Sequence, residues 1–191
     1  MCNTGTSHHN KLHSDIFKME ISDQYRVCRM EKLTIHHVIS GCIALAPTKY
    51  LQRHNNVCKY IHALLLLDRG IINNKVRWYD HQPRAVEENE STKILWNFSI
   101  QTDHTIPHNK PDIVIVDERT NKATINDVDI PNDHNLAQKR LDKLRAYTDL
   151  SVEIKSLWNR TKVTIVPVII GAMGEFYSHF KTDIEKIPFE T

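Results

Sequence analysis

The first half of the chain carries one sustained apolar rhythm. Val57, Tyr60, Ile61, Leu64 and Leu65 recur at three- and four-residue steps, which predicts a helix from Val57 to Ile71 with Gly70 as its stop. Residues 1–27 are polar and His-rich (His8, His9, His13) and lack periodicity, so they are expected to be poorly ordered or the cut end of something longer. Residues 72–93 are polar and proline-containing and read as a connector.

From residue 94 the pattern changes. Ile94–Thr102 alternates apolar and polar positions as a half-buried strand does, and Asp112–Val116 is a β-branched run of the fully buried kind. A polar turn over Glu118–Lys122 leads to a third strand, Ala123–Ile130. Pro131, Asn132 and Asp133 stop that strand and supply N-caps for a helix from about His134 to Trp158. In that helix Leu141, Leu144, Tyr147, Ile154 and Trp158 fall at core spacing. Val163–Ile170 is a last buried strand, and Pro167, which cannot donate to a ladder, puts it at an edge or a bulge. Helix, three strands, helix, strand is an α/β arrangement with a mixed sheet.

Composition narrows the classes. The 191 residues suit one domain, or one domain with an appendage, and 40% apolar with 25% charged residues is ordinary for a globular chain. A net charge of +2 gives no global signal for nucleic acid, although Lys139, Arg140, Lys143 and Arg145 form a local basic cluster. The four cysteines, Cys2, Cys28, Cys42 and Cys58, are too scattered for a disulfide scaffold. With no run of membrane-spanning length and no signal-peptide core, an intracellular, reducing compartment and no membrane partner are expected. Neither GxGxxG nor a P-loop occurs, which argues against nucleotide binding by those routes.

The strand acids are the first candidate chemistry. Period-two alternation puts Ile125, Asp127 and Asp129 on one face of their strand and Thr124, Asn126, Val128 and Ile130 on the other. A carboxylate on a covered sheet must find cations, donors or a metal. Asp112 and Asp127, converging from neighbouring strands, would make a hard oxygen site suited to Mg²⁺. Such a metal can orient and deprotonate a water and offset charge on a pentacovalent phosphate, with a lysine as further charge stabiliser. Spacing alone favours a plainer alternative, in which the acids sit at exposed ends and pair with Lys110 or Arg140.

The phrase Lys110-Pro111-Asp112, followed after 14 residues by Asp127, resembles the K/R-P-D…D/E signature of restriction-like endonucleases of the PD-(D/E)xK type. The likeness extends further. WYDHQPRAVEENESTKILWNFSIQTDH, KPDIVIVDERTNKATINDVDIP and LWNRTKVTIVPVIIGAMG resemble the carboxy-terminal endonuclease region of non-LTR retrotransposon polyproteins. TIHHVISGCIALAPTKYLQRHNNVCKYIHALL resembles the zinc-knuckle and RHN segment just upstream of that nuclease, so the similarity covers roughly residues 25–175. It implies a restriction-endonuclease-like core with a small knuckle-like segment before it: 1–27 poorly ordered, 28–56 a degraded CCHC knuckle with the RHN segment, 57–175 the endonuclease domain, and 176–191 a C-terminal tail.

Carried over by position, Asp112 and Asp127 would be carboxylates binding Mg²⁺ or Mn²⁺. The lysine in this family sits on the following helix, where Lys143 matches best, with Lys139 as fallback; Tyr147, one turn on, can face the same groove. Asp129 departs from the pattern. The general nuclease motif has lysine there and the retroelement proteins a small apolar residue, so a third carboxylate could join the metal site or spoil it.

For the knuckle, the resemblance offers Cys28, His37 and Cys42 as Zn²⁺ ligands, with the His-x4-Cys spacing intact. Glu31 stands where the second cysteine belongs, leaving Glu31 or His36 as candidates for the fourth ligand that structural zinc needs. Cys58 falls on the helix and is expected in the core. Arg53, His54 and Asn55 precede the helix; they read either as a polar flank with Asn55 or Asn56 as cap, or, from the family, as contacts to nucleic acid or to the surroundings of the metal site. Lys110 would join them on nucleic acid.

The implied function is a Mg-dependent endonuclease module that nicks DNA to prime reverse transcription. Its partners would be DNA, with RNA as a second candidate, and the polymerase portion of the parent polyprotein, in the nucleus. No Tyr-x-Asp-Asp motif occurs, so the chain is expected to be a separated C-terminal piece. The alternative is a retroelement remnant that binds nucleic acid without cutting it.

Overall fold

The β-branched runs meet in one sheet. A computed structural model describes residues 23–73 and 77–189, and its five strands lie side by side in chain order. They are β1 (Val86–Glu88), β2 (Thr92–Trp96), β3 (Ile113–Asp117), β4 (Lys122–Asp129) and β5 (Lys162–Ile169). The first four pair antiparallel and β5 runs parallel to β4, so the sheet is mixed and open, within the α/β class that the alternation of elements predicts. A parallel step requires a crossover. It is made by α2 (Leu136–Ala146) and α3 (Thr148–Leu157), while α1 (Leu51–Asp68) precedes the sheet and α4 (Phe180–Ile184) follows it.

Both faces of the sheet are covered, which is why β3 reads as an unbroken apolar run. On one face Cys58, Ile61, Leu65 and Leu66 of α1 pack against Ile94, Ile113, Ile115, Val128 and Val168. On the other, Tyr147, Leu150 and Ile154 pack against Leu95, Val114, Val116 and Ile125. Burial of each such aliphatic side chain is worth about 1.5–3 kcal/mol, so the two layers hold the sheet ends where the acids lie. β5 is an edge strand, and Pro167 sits in it opposite Asp127, the edge position its missing N–H demands.

Several boundaries differ from expectation. The strand predicted over Ile94–Thr102 ends at Trp96, because Asn97 takes a left-handed φ of 46° and gives its N–H to the Asp112 carbonyl at 2.7 Å. The long helix is two helices hinged at Tyr147 (φ −99°, ψ 6°), preceded by a single tight turn over Asp133–Asn135 that Asn132 caps. Leu141, expected inside, is 42% exposed. α1 starts at Leu51, several residues before the predicted start, so Arg53, His54 and Asn55 lie within its first turns and neither Asn55 nor Asn56 is a cap. β1 lies inside the stretch read as connector. Within the stretch read as a C-terminal tail, Tyr177, Asp183 and Ile187 are buried and α4 packs on β5. The expectation for residues 1–27 lies, up to residue 22, outside the described residues; from Asp23 the chain is paired, Tyr25 N–H donating to the Glu31 carbonyl at 2.7 Å. No described helix is long and apolar enough to cross a membrane.

The chain divides into two compact units, Met1–Gln52 and Arg53–Thr191. In the first, π-helical turns over His37–Gly41 and Ala46–Tyr50 are pinned by Tyr50, whose hydroxyl accepts the Cys42 N–H at 3.0 Å and lies 2.9 Å from the Val38 carbonyl.

Candidate active site

The β3–β4 register pairs Ile113 with Asn126; one step further it sets Asp112 opposite Asp127 at the end of the sheet. Asp112 is fixed there by the Val128 N–H, which donates to its Oδ2 at 2.8 Å. Asp127 is 4% exposed and is met from the crossover. The Tyr147 hydroxyl donates to its Oδ1 at 2.6 Å, and Lys143 Nζ lies 2.5 Å from its Oδ2. Lys143 and Tyr147 are four residues apart, the spacing that stacks two side chains on one helical face. The plainer alternative does not hold for the acids: Asp127 is buried, its ion pair among the described residues is to Lys143, Asp112's is to His54, and Arg140 binds Asp183. Lys139, the fallback lysine, forms no ion pair with either acid among the described residues.

The charges respond to one another. Burial, and then the nearby Asp112 charge, raise the Asp127 carboxyl above its ordinary value, against the pull of Lys143 and Tyr147. Burial works to lower Lys143, but Asp127, Asp129 and Asp112 together raise it, so it stays a cation. Burial and the two aspartates push the Tyr147 phenol far up, keeping it a neutral donor. Asp129 lies 3.9 Å from Lys143, so the lysine stands between two carboxylates.

His54, which the resemblance offered as a contact to nucleic acid or to the surroundings of the metal site, lies against Asp112. Its Nε2 is 3.2 Å from Asp112 Oδ2 and 3.1 Å from the Val128 carbonyl. The bond to Asp112 first, and then Cys58, raise His54 to about 11, making it an imidazolium held on the carboxylate. Cys58, 3.8 Å from the His54 ring, is buried as expected and pushed up to about 11 by that burial. Of its neighbours in the triplet, Asn55 is exposed and Arg53 half-buried. His108 is a residue the sequence did not flag; its ring centroid is 6.2 Å from that of Tyr147. Apart from the resemblance, the sequence signal for His54 is its i,i+4 spacing to Cys58, which says nothing of Asp112.

Among the described residues three groups bring ligand atoms within 4.8 Å of one another: Cys28, His37 and Cys42; His54, Cys58 and Asp112; His62, His81 and Glu87. The three strand aspartates do not form such a group. Asp112 and Asp127 remain as a pair of hard oxygen donors, which fits Mg²⁺ or Mn²⁺, since Mg²⁺ commonly takes one or two carboxylates and completes its shell with water and phosphate.

In the first unit the knuckle residues come together. Cys28 Sγ is 3.1 Å from His37 Nε2, and the Met30 N–H reaches the sulfur at 3.5 Å across a turn in which Arg29 has φ 55°. The Met30 N–H chiefly, with the Glu31 N–H, His37 and Cys42, lowers the Cys28 thiol to about 7, so a thiolate is available at neutral pH. Glu31 contacts the other side of the imidazole, its Oε2 3.0 Å from His37 Nδ1. That is the position of a carboxylate that orients a ligating histidine, not of a fourth ligand. His36 is exposed and outside the group. No protein-family model matches the chain, and no curated protein matches it.

Proposed function

We propose that the second unit is a divalent-metal-dependent DNA-nicking endonuclease of the restriction-like kind, and that the chain derives from the carboxy-terminal region of a non-LTR retrotransposon polyprotein. The observation that carries the reading is the convergence on buried Asp127 of Lys143 and Tyr147 from α2 and its cap, with Asp112 opposite. Asp112 and Asp127 would hold Mg²⁺ or Mn²⁺. When bound, the ion activates water and offsets charge on the phosphate under attack.

The chain's own groups do the rest. The Val128 N–H and His54 both meet Oδ2 of Asp112 and hold that carboxylate in place. Tyr147 orients Asp127. Lys143 holds an ammonium beside Asp127, where it would offset negative charge developing on a phosphate oxygen. The basic residues Lys139 and Arg145 of α2, together with Lys110, would meet the DNA backbone. DNA is the proposed substrate, with RNA and the polymerase part of the parent polyprotein as further partners, in the nucleus, and Zn²⁺ as ligand of the Cys28–His37–Cys42 group.

The test is supercoiled plasmid incubated with purified protein and Mg²⁺ or Mn²⁺. Metal-dependent nicking that Asp112→Ala and Asp127→Ala abolish is the expected result; nicking that survives both overturns the assignment. One observation favours the non-cutting alternative: Asp129, 3.9 Å from Lys143, competes with Asp127 for the lysine. That alternative predicts DNA retarded on a gel with no nick under either metal.

A further inference from the structure

We infer that His62, His81 and Glu87 form a second metal site in the Arg53–Thr191 unit, one that takes a borderline transition-metal cation such as Zn²⁺. The inference is independent of the nuclease reading. The three residues come from α1, from the turn before β1, and from β1 itself. His62 is 0% exposed and His81 6%, and the Glu87 side chain is 12% exposed. One ligand atom from each lies within 4.8 Å of the others.

The polar atoms are incompletely satisfied without an ion. His62 Nδ1 is 3.0 Å from His81 Nε2, which uses one nitrogen of each ring. His62 Nε2 and Glu87 Oε2 are buried with no hydrogen-bond partner, and they face each other across 3.5 Å. A charge-assisted N–H···O bond would close to about 2.7–2.9 Å. Two ligands of a tetrahedral ion with bonds of about 2.0–2.1 Å stand roughly 3.4 Å apart. The gap matches the second case. A buried carboxylate oxygen without a donor is costly, and a cation removes that cost.

The donor set chooses the metal. Two imidazoles and one carboxylate, with no thiolate, suit Zn²⁺ and its first-row neighbours rather than Mg²⁺ or Ca²⁺, and leave a fourth position for water. An imidazole ligates in its neutral form, through the nitrogen that carries no proton. Trp96 closes the site, edge-on to His62 at 5.1 Å between centroids. An ion there would tie the short edge strand β1 and the turn before it to α1.

The experiment titrates the metal-free full-length chain with Co²⁺ and with Zn²⁺. Thiolate-to-cobalt charge transfer marks ions held by Cys28 and Cys42; the proposed site binds Co²⁺ without that band. The expected result is one thiolate-free equivalent that persists in Asp127→Ala and is weakened at least about 100-fold in Glu87→Gln and His81→Ala, since even indirect ligand supports cost 10–100-fold. A Zn²⁺-dependent rise in Tm that survives Cys28→Ser but disappears in Glu87→Gln would agree. Thiolate charge transfer on every bound Co²⁺, or a thiolate-free equivalent unchanged in Glu87→Gln and His81→Ala, would overturn the inference. If that equivalent instead vanishes in Asp127→Ala alone, the ion belongs to the strand acids and the second site does not exist.

Discussion

At the scale of single residues, the buried charges converge on Asp127. A carboxylate 4% exposed is tolerable only because Lys143 and Tyr147 reach it. Lys143→Ala should therefore lower the nicking rate by about 10²–10³-fold, the usual effect of removing one preorganised charge stabiliser, while gel-measured DNA affinity changes far less. An equal loss of rate and affinity would make Lys143 a phosphate anchor only. Thiol chemistry gives a second prediction. Cys28, lowered to about 7, should be alkylated readily at neutral pH, whereas Cys58, buried and raised to about 11, should resist. Mass spectrometry of the intact chain would read this, and added Zn²⁺ should protect Cys28. The Asp127–Lys143 pairing was legible only through the resemblance. Periodicity placed both residues on plausible elements, but a lysine on a helix is ordinarily solvated. The specific contact of His54 with Asp112 was not legible from spacing, because the two are far apart in sequence and no local pattern links them; only the resemblance offered His54 a place near the acids.

At the scale of elements, the strands that could be read were those whose side chains carry the burial. β3, β4 and β5 are β-branched runs, and their registers follow from two covered faces. β1 was missed because Val86-Glu87-Glu88 offers a single apolar residue. The hinge at Tyr147 was missed because neither proline nor glycine marks it; the bend follows from Tyr147 turning inward to Asp127. Arg140 was misread for a related reason: its partner, Asp183, lies on α4, beyond any spacing rule. That carboxylate is fully buried, and although burial works to raise it, hydrogen bonds from Arg140, Lys186 and Tyr177 hold it far below the ordinary value. Its folded pKa is depressed, so its stabilisation is complete above the unfolded value near 3.9 and is lost as pH falls below it. Asp183→Asn should cost about 3 kcal/mol at pH 7 by urea unfolding. It should also flatten the loss of stability below about pH 4; an unchanged acid limb would show that Asp183 does not anchor α4.

At the scale of the whole molecule, two units carry separate chemistries. The first gathers thiolate and imidazole, and the second places two carboxylates at the end of a sheet. The α/β class and the mixed sheet agree with the order of apolar patterns, since a strand that returns after a helical crossover most often lies parallel and beside its predecessor, as β5 does beside β4. Whether the second unit cuts DNA turns on Asp112 and Asp127 acting together. The most direct measurement is nicking of supercoiled plasmid across a Mg²⁺ titration by the unaltered chain and by Asp127→Asn, with DNA retention followed on the same samples. The account predicts Mg²⁺-dependent nicking by the unaltered chain, and its loss in Asp127→Asn with DNA retention intact. Nicking by Asp127→Asn at the unaltered rate, or none by the unaltered chain at any Mg²⁺ or Mn²⁺ concentration, would contradict it.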